Sequence, residues 1–232
     1  MDTILYFCFS LVYMILFIMG ITLIRRQDNL LSHSSFLLLV TFALFADNII
    51  IASGKFIGDG PLLEVLNQSR FWIHGFITPT LILFGWDMAK RIHIPFTEKR
   101  SAFYFFLYLT SGLIIYECIE NMHKTFVPVS EYGVLRYVSE QSSGPPLMVL
   151  VVTLVLLVIS INIFLRERWI WMLLGVVIMI GGSAIPIPIE SSALTNAFEM
   201  IFICSLWYTY YKLEPHFPHS DSSLELQQKR VK

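Results

Sequence analysis

Residues 35–57 read SFLLLVTFALFADNIIIASGKFI, and between Ser35 and Gly54 the only charged side chain is Asp47. A bilayer core of about 30 Å takes roughly 20 residues of helix, because hydrocarbon offers no partner to an unbonded backbone group. This stretch therefore predicts a transmembrane helix with one acid near its middle. Working outward, comparable runs occur at Thr3–Ile24, Arg70–Ala89, Ala102–Asn121, Pro146–Leu165, Trp169–Ile189 and Ala193–Tyr211. Together they predict an all-α, polytopic membrane protein with seven spans over residues 1–214. The remainder, 215–232, is polar and predicts a flexible tail, since it lacks the apolar content to order itself.

Composition agrees with that reading. Of 232 residues, 56% are apolar and only 14% charged, where a soluble domain has about a quarter charged. Mean hydropathy is +0.67. A soluble single domain is excluded, and the net charge of −1 supplies no positive field for nucleic acid. Cys8, Cys118 and Cys204 lie in apolar stretches without metal-type or redox spacing. The first span is too long, and too poor in basic start and small-residue cleavage signals, to read as a removable leader.

Lysine and arginine set the expected orientation, because basic loops are retained on the cytoplasmic side. Arg25, Arg26, Lys90, Arg91, Lys99, Arg100, Arg166, Arg168, Lys212, Lys229, Arg230 and Lys232 fall at one set of alternate ends, twelve of the sixteen basic residues. The opposite ends carry Lys55, Arg70, Lys124 and Arg136. The asymmetry predicts an outward N-terminus and a cytoplasmic C-terminus. One connection is long, 122–144, and contains Pro128 and Gly133; it predicts a cap on the outer surface. The spans do not divide into two comparable halves, so no inverted repeat of transporter type is expected.

Charged groups within hydrocarbon are costly, so those that occur there face the bundle interior and find partners. Asp47, Asp87, Glu117 and Glu199 are the four acids that qualify, with Glu120 at the outer end of its span. Asp47 falls near the midplane, with Asn48 beside it. Asp87 lies at the cytoplasmic end, one turn before Arg91, which predicts an ordinary interfacial ion pair. Glu117 belongs to the outer third of its span, and Glu199 lies about a turn and a half below its outer end, with Asn196 one turn before it. The third span contributes Arg70 and His74, one turn apart, with Pro79 five residues on to kink the helix. Arg70 is expected to meet a carboxylate, whether Glu64, Asp47 or a ligand anion, because its planar fork suits bidentate contact. The run Ile185-Pro186-Ile187-Pro188 should break the sixth span and leave carbonyls free.

These polar groups share the outer half of the bundle, which predicts a cavity opening outward or laterally to the outer leaflet. The plainer reading is that they bond neighbouring helices together, at roughly 0.6 kcal/mol per hydrogen bond. Several familiar chemistries fail on position. A retinal protein needs a lysine midway along its last helix, and only Lys212 at its end is offered. A zinc-dependent membrane hydrolase needs clustered histidines, whereas His33, His93, His123, His216 and His219 lie at ends or in the tail. Asp47, His74, Glu117 and Glu199 include metal-ligand types, but nothing in their spacing demands a cation, and no metal or cofactor is expected.

The layout of Asp47 in Ala46-Asp47-Asn48 on the second span and Glu199 in Phe198-Glu199-Met200 on the last resembles the membrane-integral terpene cyclases of meroterpenoid pathways. Those are small seven-helix proteins of similar length with one essential acid in each of these two helices. The resemblance implies a protonation-initiated cyclisation of an isoprenoid or other lipid. Such chemistry needs a carboxylic acid kept protonated in an apolar pocket, and aromatic faces to steady a carbocation. On this reading Asp47 is the proton donor, His74 and Asn48 orient it, and Glu199 with Asn196 returns the proton or positions the substrate. Arg70 holds a polar end, with Glu117, Trp72 and Phe76 lining the substrate. A lipid hydrolase or isomerase using the same acids fits these residues as well. The competing class is a non-catalytic seven-helix sensor or ligand-binding protein that signals through its basic loops and tail.

Overall fold

A computed structural model of the chain describes residues 2–25, 33, 35–140, 147–184 and 191–214. Among them are eight α-helices: α1 (Asp2–Arg25), α2 (Ser35–Ile57), α3 (Pro61–Ile77), α4 (Leu81–Arg91), α5 (Arg100–His123), α6 (Leu147–Glu167), α7 (Trp171–Ala184) and α8 (Ser192–Lys212). Strands β1 (Phe126–Glu131) and β2 (Val134–Ser139) form a hairpin between α5 and α6. The expected tail and the Ile185–Pro188 break lie outside the described residues.

Four helices, α1, α2, α5 and α6, are long and apolar enough to cross a membrane, and α7 is a shorter apolar helix. Helix α6 shows how far the apolar surface extends. Met148, Val152, Leu156, Ile159 and Ile163 are buried on one side, while Leu147, Leu150, Leu154, Val158, Ile161 and Leu165 are exposed on the other. Both sets recur at three- and four-residue spacing, so the helix is apolar all round.

The helices close a ring. α1 packs on α2, α2 on α3 and α4, α4 on α6, α6 on α7, α7 on α8, and α8 returns to α1. α5 packs against α3 and α4. The ring is bonded across its middle where the Trp207 indole N–H donates to Thr41 Oγ1 at 2.9 Å, joining α8 to α2.

The third predicted span begins earlier than hydropathy indicates and is not one rod. Gly58 (φ 81°) and Gly60 (φ 153°) turn the chain, and Pro61 opens α3 at its first position, where a missing N–H costs nothing. Residues 61–69 escaped the apolar run because they include Glu64, Asn67 and Gln68. Pro79 then interrupts the helix, and Thr78–Thr80 form a single 3-10 turn between α3 and α4. The corrected start places Arg70 nine residues inside the helix rather than at its mouth. His74 therefore lies more than three turns from the start of α3.

The 122–144 connection is an antiparallel hairpin whose register runs from Phe126↔Ser139 to Glu131↔Val134. Its two-residue turn is Tyr132 (φ 49°) and Gly133 (φ 83°), the left-handed pair that matches the twist of a hairpin. Backbone and side chains tie it to the helix ends. Asp2 N–H donates to Tyr132 O at 3.3 Å, Thr3 Oγ1 to Gly133 O at 2.6 Å, and Tyr137 Oη to Asp59 Oδ1 at 2.6 Å. Gly54 of α2 lies so close beneath the Leu135 carbonyl that a side chain there would collide with backbone. The hairpin thus covers the ends of α1, α2 and α3.

The other end of the bundle gathers cations. Arg91 pairs with Asp87 at 3.0 Å, as its spacing predicts, and stacks over Tyr210. Arg166 Nη1 donates to the Ile92 and His93 carbonyls, and Lys212 lies over Trp169.

Candidate functional site

Asp47 and Asn48 are consecutive on α2, so their side chains leave the helix about 100° apart. Asp47 meets α3. Arg70 Nε donates to Asp47 Oδ1 at 2.7 Å and Nη2 to Oδ2 at 3.4 Å. The third edge of the guanidinium is also taken, by Asn67 Oδ1 at 2.7 Å, and Asn67 is held in turn by its Nδ2 donation to Leu63 O at 2.8 Å. Only 12% of the Arg70 side chain and 17% of that of Asp47 is exposed. Of the partners the sequence offered Arg70, Asp47 is the one it bonds.

Asn48 turns away, fully buried, with Nδ2 donating to Leu44 O of its own helix at 2.8 Å and Oδ1 unbonded.

His74 and Glu199 come together. One turn beyond Arg70, His74 lines a cavity with Thr78, Thr153 and Glu199, closed by Val40, Leu44, Leu81, Val149, Val152, Met179, Phe202 and Ile203. Among the described residues neither His74 nor Glu199 has a hydrogen-bond or ion-pair partner. Both feel the charges of Asp47 and Arg70. The cavity measures about 20 Å³, room for roughly one water. Apolar side chains make up most of its wall.

The other expected residues stand apart from this cavity. Glu117 is buried on α5 against Gly75, where an added Cβ would lie 3.1 Å from Glu117 Cβ. Its neighbour Asn121 donates to Phe71 O at 3.1 Å and accepts from Lys124 Nζ at 2.6 Å, so this stripe fastens α5 to α3. Trp72 and Phe76 stack on each other at 6.0 Å, with Phe76 exposed on the outside of α3. Asn196, one turn before Glu199, reaches the Tyr6 hydroxyl of α1 at 3.5 Å.

Two residues that sequence reasoning passed over belong here. Tyr13 on α1 is fully buried, its hydroxyl has no partner among the described residues, and Glu199, Cys204 and Asp47 are its electrostatic neighbours. Its signal was legible as Tyr6, Phe9 and Tyr13, three aromatics at helical spacing on one buried face of α1. Arg136 sits on β2, opposite Val129, and lies within the field of Tyr6, Arg70 and Asp47. Burial lowers the pKa of its guanidinium from the ordinary value, against the opposing pull of Tyr6, Glu131 and Asp47. Nothing in a surface hairpin's sequence signals that one arginine faces inward.

The arrangement is a closed ion pair beside an unpaired imidazole and carboxyl group in an apolar cavity, with a buried phenol in electrostatic reach. Such a set can hold, give and take a proton away from water. Among the described residues no three His, Cys, Asp or Glu side chains gather as a metal site would require. Compared with known proteins, the chain matches no family model, no curated protein sequence and no solved structure.

Proposed function

We propose that this chain is a seven-span membrane protein, N-terminus outside and C-terminus in the cytoplasm, that catalyses acid–base chemistry on an isoprenoid or other lipid. Glu199 and His74 are the proton-handling pair. The observation that carries this reading is their meeting, from α8 and α3, in one apolar cavity with no other partner among the described residues. Asp47 takes a different role from the one its sequence position implies. With both oxygens bonded to Arg70 it orients the site, so the acid on the last helix is the candidate donor. The resemblance to membrane-integral terpene cyclases supports a substrate of isoprenoid type, and Tyr13 and Phe202 supply aromatic faces nearby. For substrate to reach Glu199 the cavity must widen, and the 3-10 turn at Thr78–Thr80, whose Thr78 lines it, is where α3 and α4 can part.

Purified protein in lipid nanodiscs, incubated with mixed polyprenyl and glycerolipid substrates and followed by mass spectrometry, tests the reading. Glu199→Gln and His74→Phe should each lower turnover about a hundredfold, the usual scale for losing a general acid or base. Asp87→Asn, at the far end, should leave turnover intact. Conversion of no lipid by wild type, or undiminished conversion by Glu199→Gln, overturns it. The small cavity favours one competing reading, a non-catalytic sensor, in which the same cluster binds and reports rather than reacts; it predicts binding without turnover. A reporter fused after Lys232 should face the cytoplasm, and an outward-facing signal refutes the orientation.

A further inference from the structure

At the end of the bundle away from the hairpin, the α4–α5 connection builds an open groove of about 380 Å³. Its lining is of two kinds. Trp86, Phe103 and His33 make a mutually touching aromatic floor, with ring centroids 5.1 Å apart for Trp86–Phe103, 5.0 Å for His33–Trp86 and 5.6 Å for His33–Phe103. Around it stand Lys90, Lys99 and Arg100, all exposed, against one acid, Glu98. Glu98 is itself exposed and faces His93 at 3.8 Å, while the nearby Asp87 is already held by Arg91. Lys90 Nζ lies 5.3 Å over the Trp86 ring, and among the described residues none of the three cations has an ion-pair partner.

The surroundings keep these charges unsatisfied. Lys99 occupies the N-cap position of α5, makes no side-chain cap, and is followed by Arg100 with no acid in the first turn. This is the reverse of what a helix dipole favours, and an anion seated there would offset it. Only 6% of Trp86 is exposed, yet its indole N–H has no acceptor among the described residues. Aromatic rings beside free cations at a helix end are the furniture of a membrane interface, where the rings sit at headgroup level and the cations meet lipid phosphate.

We propose that this groove is a binding site for the phosphate of an anionic glycerophospholipid, seated by Lys90, Lys99 and Arg100 with its glycerol and upper acyl carbons against Trp86, Phe103 and Tyr104. The site rests on the membrane reading but not on the chemistry proposed for Glu199, so either can fail alone.

Native mass spectrometry of the full chain, with phosphatidylglycerol and phosphatidylcholine in competition, provides the test. Wild type should retain the anionic lipid roughly tenfold better, Lys99→Gln/Arg100→Gln should bring the ratio close to one, and Lys212→Gln, a cation at the same end outside the groove, should leave it unchanged. Should the double variant misfold, two measurements on wild type decide. A diazirine-bearing phosphatidylglycerol should crosslink within residues 86–104, and raising salt to about 1 M should erase the preference by screening. Equal retention of the two lipids, an unchanged ratio in the folded double variant, or crosslinks elsewhere overturn the proposal. Displacement by inorganic phosphate at low millimolar concentration overturns the lipid assignment in favour of a soluble phosphate compound.

Discussion

Asp47→Asn should destabilise the fold by breaking a largely buried ion pair from one side. Its neighbour Arg70 would remain charged, with 12% of its side chain exposed and only the Asn67 amide for company. Two charges about 4 Å apart at an effective dielectric near 20 attract by about 4 kcal/mol, and breaking a buried pair from one side costs about 3–5 kcal/mol. Arg70→Met removes the other partner and also leaves Asn67 Oδ1 without its donor, adding about 1 kcal/mol. The double variant Asp47→Leu/Arg70→Met removes both charges and replaces them with packed carbon, which is often close to neutral. Denaturation curves in one detergent for wild type, Asp47→Leu, Arg70→Met and the double variant close the cycle and give the coupling energy directly. We expect about 2–3 kcal/mol of coupling, with the double variant more stable than either single one. Additive losses, with coupling below about 0.5 kcal/mol, would refute the ion pair as the tie between α2 and α3.

Other consequences can be measured independently. Trp207→Phe removes the hydrogen bond from α8 to Thr41 and should cost about 1 kcal/mol of stability, read in the same detergent assay. Gly54→Val drives a side chain into the Leu135 carbonyl and should lift the hairpin, seen as faster hydrogen exchange across Phe126–Ser139 with the helices unaffected. The hydrogen bond from Tyr137 to Asp59 raises the phenol pKa above its ordinary 10.0. Its stabilisation is therefore complete below pH 10 and disappears as pH climbs through the raised value, where a phenolate would face a carboxylate. Hairpin exchange should accelerate in that alkaline window in wild type, and Tyr137→Phe should show faster exchange already at neutral pH with no such step.

How much of this was legible beforehand differs from element to element. Helix α2 came out at Ser35–Ile57, the bounds its hydropathy indicates, since a run interrupted only by Asp47 has one reading. The Asp87–Arg91 pair was equally plain because both residues lie on one helix and spacing decides the contact. Helix α3 was misplaced because Leu63 and Asn67 are buried by tertiary neighbours, whereas a hydropathy window averages in Glu64 and Gln68, which are not. The candidate site was half readable: its residue types and approximate depths were there, its partnerships were not.

What the chain alone determined is whatever follows from composition along a line: helical segments of membrane length, a basic end and a less basic one, acids that need company. What only the tertiary structure decided is which groups provide that company. Helices at equal depth are free to rotate about their axes, and it is that rotation, set by packing around the whole ring, that gives Asp47 to Arg70, turns Asn48 to its own backbone, moves Glu117 to the α3–α5 seam and leaves His74 and Glu199 facing one small cavity. A hairpin that folds back across the helix ends then brings Arg136 within the field of Asp47, a juxtaposition of residues 89 positions apart that no local pattern contains.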